Sequence, residues 1–116
     1  MIKYIAESIG TFLLVAVVVG SGIMAENLSQ GNDAVALLGN TIATGAILFV
    51  IIKMFASISG AHFNPVVSMV FLIRKEIDLK EFINYVIIQI ISAISAVFII
   101  HFIFHQPLYQ ISTNIR

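Results

Sequence analysis

The chain has 116 residues, 59% of them hydrophobic and 10% charged, with zero formal net charge and a mean hydropathy of +1.05. A soluble domain carries roughly 25% charged residues because its surface must face water, so an ordinary soluble fold is excluded. Lack of cysteine removes disulfides and thiolate metal sites, and lack of any basic block argues against a nucleic-acid partner.

The first apolar run extends from about Ile5 to Met24 and is broken by a single charge, Glu7. About 20 residues at 1.5 Å each cover a hydrocarbon core of about 30 Å. The run has no strong basic flank and no A-x-A site, so it is expected to be a retained span and not a cleaved signal peptide. Glu26 to Asp33 then reads as a short loop, with Gly31 and Asn32 as breakers. A second span runs from about Ala34 to Phe55, with Lys53 near its end, where its stem can snorkel to the surface.

The segment from Ser57 to Phe63 is not helical in pattern, and the following Pro65 to Ile73 is apolar but only nine residues long. As a helix it reaches about 14 Å, half the hydrocarbon thickness. Such a length fits a re-entrant helix, tolerated only where its irregular backbone is buried in protein or lines a water-filled cavity. It also fits an amphipathic surface helix after a loop. Lys75 to Glu81 is charged and solvated, and a third span from about Phe82 to Phe104 holds no charge. Pro107 closes it, and the tail to Arg116 is polar.

These elements predict an all-α, multi-pass membrane protein of one domain, residues 1–116, in a lipid bilayer. The spans cover about 5–24, 34–55 and 82–104, and the re-entrant loop and half-helix about 57–73. With the N-terminus cytoplasmic, Lys3, Lys53, Arg74, Lys75 and Lys80 fall inside and only Arg116 outside, which is the bias expected of that orientation. A cell membrane (plasma or inner) is the expected location.

Asn64-Pro65 is a strong helix start. The Asn64 oxygen can accept from the N–H of Val66 or Val67, while proline at the first helical position loses no bond. The Asn64 NH₂ group is then free to donate outward at a helix end carrying about half a positive charge. An extended segment before it would offer carbonyls to water or a solute. A neutral polar molecule could bond along such a row, and a cation would be repelled at its end.

Ser59-Gly60-Ala61-His62-Phe63-Asn64-Pro65-Val66 resembles the signature loop of the aquaporin and aquaglyceroporin family. Ala6-Glu7-Ser8-Ile9-Gly10-Thr11-Phe12-Leu13-Leu14 is similar to that family's first-helix opening, and the spacing between the two fits without gaps. The resemblance covers essentially the whole chain, aligned to the family's first half. It implies three transmembrane helices plus one re-entrant half-helix, equivalent to one inverted repeat.

By that resemblance Asn64 donates to the passing solute, and the carbonyls of Gly60, Ala61, His62 and Phe63 line the cytoplasmic half of the pore, with Pro65 and Val66 at the half-helix start. Glu7 would hydrogen-bond the loop, as expected of an intramembrane carboxylate; its position also allows a charge near the interface. Thr44 stands where water-selective members carry an aromatic, which implies a wider, polar constriction and a solute larger than water, such as glycerol or a neutral metalloid hydroxide. Gly45 resembles the family's helix-crossing glycine, and is equally read as a glycine tolerated in a membrane helix. Val66 replaces the usual alanine.

His101 and His105, four apart, have a spacing compatible with a metal pair, but no cysteine or carboxylate lies nearby and interface histidines are the better reading. His62 beside Glu7 lacks any accompanying nucleophile, so no enzyme activity, cofactor or metal is expected.

The family's pore needs two inverted repeats, and this chain supplies one. The expectation is half of a passive channel for water or small neutral solutes, completed by a second half and assembled as a tetramer. Two oppositely inserted copies are disfavoured by the charge bias. The alternative is a non-conducting truncated fragment, or an assembly or regulatory membrane subunit.

Overall fold

The computed structural model describes residues 1–109. They form four helices, α1 (Ile2–Leu28), α2 (Asp33–Ser59), α3 (Pro65–Ile73) and α4 (Leu79–Ile103), with no strand among the described residues. The chain is all-α, and α1, α2 and α4 are long and apolar enough to cross a membrane. Their 27, 27 and 25 residues reach roughly 40 Å, beyond the hydrocarbon thickness of about 30 Å. The nine residues of α3 reach about 14 Å.

Each long helix outruns its apolar stretch, because local hydrogen bonds carry it on. α1 continues through Glu26 and Asn27 to Leu28, and Ser29 closes it by donating from its N–H to the Ala25 carbonyl at 3.0 Å. α4 starts before the apolar run, because the Asp78 carboxylate accepts from the Glu81 N–H at 2.7 Å and caps it. Asn32 caps α2 in the same way, accepting from the Val35 N–H at 3.2 Å.

At the other end of α2 the structure corrects the sequence reading. Ser57, Ile58 and Ser59 complete the last helical turn and are not loop. The helix ends at Gly60, whose φ of 85° is a left-handed conformation that only glycine adopts without steric cost.

α1 is the central element and packs against both α2 and α4, while α3 packs on α4. Glu7 meets Ser59 near one end of the bundle and Ser21 meets Asn40 near the other, so α1 and α2 are antiparallel. Lys3 pairs with Glu81, and Gly20 lies by Ile100 and Phe104, so α1 and α4 are parallel. The long axis measures 47 Å, comparable with a bilayer of about 40–45 Å including headgroups.

The interior mixes a few apolar residues, among them Ile51 and Phe63, with a larger set of polar ones. Glu7, Thr11, Ser59, His62, Ser68, Gln89 and Ser92 are buried, while Leu37, Ile42, Phe49, Ile91 and Phe102 stand exposed. Water would punish this distribution, but hydrocarbon rewards it, because polar groups there must find partners inside the protein.

Candidate functional site

Glu7 is the hub of the buried cluster. It is 0% exposed, and each carboxylate oxygen accepts two hydrogen bonds. Oε1 takes the Ser59 hydroxyl at 2.7 Å and the His62 N–H at 2.9 Å. Oε2 takes the Phe63 N–H at 2.7 Å and the Gln89 amide at 2.9 Å. Two of the donors are backbone groups of the loop between α2 and α3, so a side chain of α1 fixes the course of that loop. Bonds to a charged acceptor are worth about 1.5–3 kcal/mol each.

The loop needs such an anchor. Ala61 and Phe63 have φ of 53° and 52°, left-handed values that cost an L-residue with a Cβ roughly 1–2 kcal/mol. The Ala61 N–H donates to the Ser59 hydroxyl at 3.2 Å, which with the two bonds to Glu7 turns the loop donors inward. The carbonyls of Gly60, Ala61, His62 and Phe63 accept no hydrogen bond from any described residue. Their neighbour, the Ser59 carbonyl, accepts from the buried Tyr85 hydroxyl at 2.8 Å. The result is four consecutive acceptors without a donor among the described residues, on a strained, clamped backbone.

Asn64 follows with extended backbone and caps α3, its Oδ1 accepting from the Val66 N–H at 2.8 Å. Pro65 occupies the first turn. Asn64 is exposed, and its amide nitrogen donates to no described residue. The 67%-exposed Val66 leaves the start of α3 open in this chain.

The His62 ring takes no part in an acid–base pair with Glu7. Only its backbone N–H reaches the carboxylate, and its Nδ1 lies 3.0 Å from the Ser68 hydroxyl. Phe71 stacks on the ring at 4.2 Å and Tyr85 meets it edge-on at 5.1 Å. Phe63 packs over Gly10 so closely that a Cβ there would enter its ring.

Thr44 is half-buried in the middle of α2. It shares a helical stripe with Leu48, Ile51 and Phe55 (spacings of four, seven and eleven). Ile51 is fully buried and Phe55 meets Phe63 edge-on at 6.1 Å, whereas Leu48, the stripe residue next to Thr44, stands exposed. Gly45 makes no helix crossing among the described residues, since a Cβ there would meet none of them within 4 Å. Close approaches occur instead at Gly10 and, more loosely, at Gly39, where an added Cβ would stand 3.5 Å from the Ala25 Cβ. His101 donates from Nδ1 to the Pro107 carbonyl at 2.7 Å, and no group of three or more metal-ligating side chains occurs among the described residues.

Sequence reasoning missed Gln89, Tyr85, Ser68 and Ser59. Tyr85, Gln89, Ser92 and Ala96 are the buried residues of α4 and recur at spacings of four, three and four, one face of a helix. A glutamine in an otherwise apolar span was the available signal, since hydrocarbon tolerates it only with partners.

The family model described as major intrinsic protein matches residues 1–115. The chain is 47% identical over 114 residues to "Aquaglyceroporin AqpS" of Rhizobium meliloti (strain 1021), covering 98% of this chain and 48% of that protein. It is 40% identical over 96 residues to "Glycerol uptake facilitator protein-like 6" of Lactiplantibacillus plantarum, covering 83% and 41%. Against "Aquaporin TIP2-3" of Zea mays it is 36% identical over 104 residues, covering 88% and 42%. The chain thus spans about half the length of these relatives.

Proposed function

This chain belongs to the major intrinsic protein family, and on that premise we propose that it forms one half of a passive transmembrane pore for water or small neutral solutes. The observation that carries the reading is the loop's division of labour. The N–H groups of Ala61, His62 and Phe63 are spent on Ser59 and Glu7, while among the described residues the carbonyls of Gly60 to Phe63 accept no bond and the Asn64 amide nitrogen donates none. A solute that sheds its hydration needs acceptors and a donor in sequence, and these groups supply them. The positive end of α3 opposes cations at the same point.

A second half completes the pore, because one half-helix supplies one wall. Thr44 at the outer constriction favours a solute larger than water, in the glycerol or neutral metalloid hydroxide class. The aquaglyceroporin and glycerol-facilitator names of two relatives support that class. The five Lys and Arg residues Lys3, Lys53, Arg74, Lys75 and Lys80 support a cytoplasmic N-terminus; Arg116, on the opposite count, lies outside the described residues. A tetramer is the expected assembly.

The test is stopped-flow permeability of liposomes holding this chain with a second half of the family's fold. Water and glycerol flux should rise above lipid background. Asn64→Asp keeps the oxygen that caps α3 but removes the NH₂ donor and adds a charge, so flux should fall on the order of tenfold while the helix content holds. A folded, co-assembled complex without flux would favour the non-conducting assembly subunit instead.

A further inference from the structure

We propose that Gln89 is a positioning residue that, acting through Ser68, holds the His62 imidazole in the tautomer with its proton on Nε2 and so presents an N–H donor beside Gly60. The hydrogens can be followed outward from Glu7. Three donors from the α2–α3 loop region, the Ser59 hydroxyl and the His62 and Phe63 N–H groups, already point at the Glu7 carboxylate, which acts towards them as an acceptor. The Gln89 atom facing it at 2.9 Å must therefore be the amide nitrogen, which fixes the orientation of that side chain and leaves its Oε1 buried without a partner among the described residues.

The same nitrogen lies 3.1 Å from the Ser68 hydroxyl. Its two hydrogens are thus divided between Glu7 and Ser68, and Ser68 accepts. Ser68 is 0% exposed, so its own hydrogen needs a buried acceptor, and the remaining neighbour is His62 Nδ1 at 3.0 Å. A hydrogen on Nδ1 would aim two donors and an orphaned hydroxyl at one oxygen, leaving a buried donor unmade. Nδ1 is accordingly the bare nitrogen, and Nε2 carries the proton.

Nε2 has no partner among the described residues, and it faces Gly60: a Cβ built there would stand 3.0 Å from it. Gly60 itself is exposed. The ring cannot swing to another rotamer freely, since Phe71 and Tyr85 pack against it. A fixed donor therefore stands beside Gly60, at the α2 end of the loop whose other end carries the Asn64 amide. That the donor meets a solute rests on the pore reading above; the tautomer does not.

Solid-state ¹⁵N NMR of the histidine-labelled protein, assembled with its second half in bilayers, reads the tautomer directly. The His62 signals are assigned as those lost in His62→Gln. Nδ1 should show the unprotonated shift and Nε2 the protonated one, and Ser68→Thr, which keeps the hydroxyl, should preserve both. Gln89→Met, similar in size but without donors, should convert the single pattern into a tautomer mixture. A protonated Nδ1 in the unaltered protein, or a pattern in a folded Gln89→Met protein identical to wild type, would overturn the proposal. Should Gln89→Met not fold, Ser68→Ala replaces it with the same expected mixture, and the wild-type spectrum decides by itself against a protonated Nδ1. Glycerol flux is recorded on the same samples: a correct tautomer without flux defeats the pore reading alone.

Discussion

At the scale of single residues, Glu7 illustrates how a bilayer inverts the usual cost of a buried charge. Desolvating a carboxylate is expensive, yet here each oxygen accepts two donors, and two of the four belong to a backbone that has no other partner. Glu7→Gln tests this with almost no change of shape. Its NH₂ group would confront donors where an acceptor is required, either the pair at Oε1 or the pair at Oε2. The expected cost is about 3 kcal/mol, the loss of one or two charge-assisted bonds, read as a lower midpoint in denaturant unfolding from mixed micelles. A Glu7→Gln protein as stable as wild type would mean the loop is held by something else. Glu7 was legible as an intramembrane carboxylate, whereas the identity of its donors was not. Ser59 and Gln89 lie 52 and 82 residues away in sequence, and nothing local ties them to it.

Among the elements, the loop and α3 are shaped as much by what α1 lacks as by what it offers. Gly10 leaves the space that Phe63 fills, and the left-handed Phe63 donates its N–H to Glu7, three residues before Gly10. Gly10→Ala should therefore push the Phe63 ring aside and cost about 1–3 kcal/mol, the usual range for overpacking. A second substitution, Phe63→Leu, should recover part of that loss, because the two residues compete for one volume. Strictly additive losses in thermal unfolding would show that they do not. The half-length of α3 and its Asn64-Pro65 start were readable from the sequence, since both depend on neighbours along the chain. The end of α2 lies four residues beyond the expected one because Ser57 and Ser59 suggest a loop, and the decisive terminator is Gly60.

For the whole molecule, the contrast lies between an interior rich in polar groups and two open faces, the apolar surface of α2 and the uncovered start of α3. Leu37, Leu38, Ile42 and Phe49 stand exposed along α2, and Gly45 sits among them with open space before it. If Gly45 is a crossing point for the second half, a large side chain there should act on assembly and spare the fold of this chain. Gly45→Leu is expected to leave the unfolding midpoint of the isolated chain within about 0.5 kcal/mol of wild type. Co-purification with the second half should drop markedly. Equal destabilisation of chain and complex, or unimpaired assembly, would count against the crossing.

Membrane residence, helix count and the half-length helix were determined by the sequence itself, because hydropathy over about 20 residues and capping within a turn are local quantities. Family resemblance added the expectation that Glu7 and the Ser59–Val66 loop belong together. Only the tertiary structure decided how they meet: that one carboxylate takes four donors, that the Tyr85 and Gln89 face of α4 closes the cluster, and that a Cβ at Gly45 would meet none of the described residues within 4 Å. Those outcomes depend on which residues distant in sequence share a volume. Periodicity along one helix specifies a face, but the partner of that face is fixed by packing, and in hydrocarbon by the cost of leaving buried polar groups without a bond.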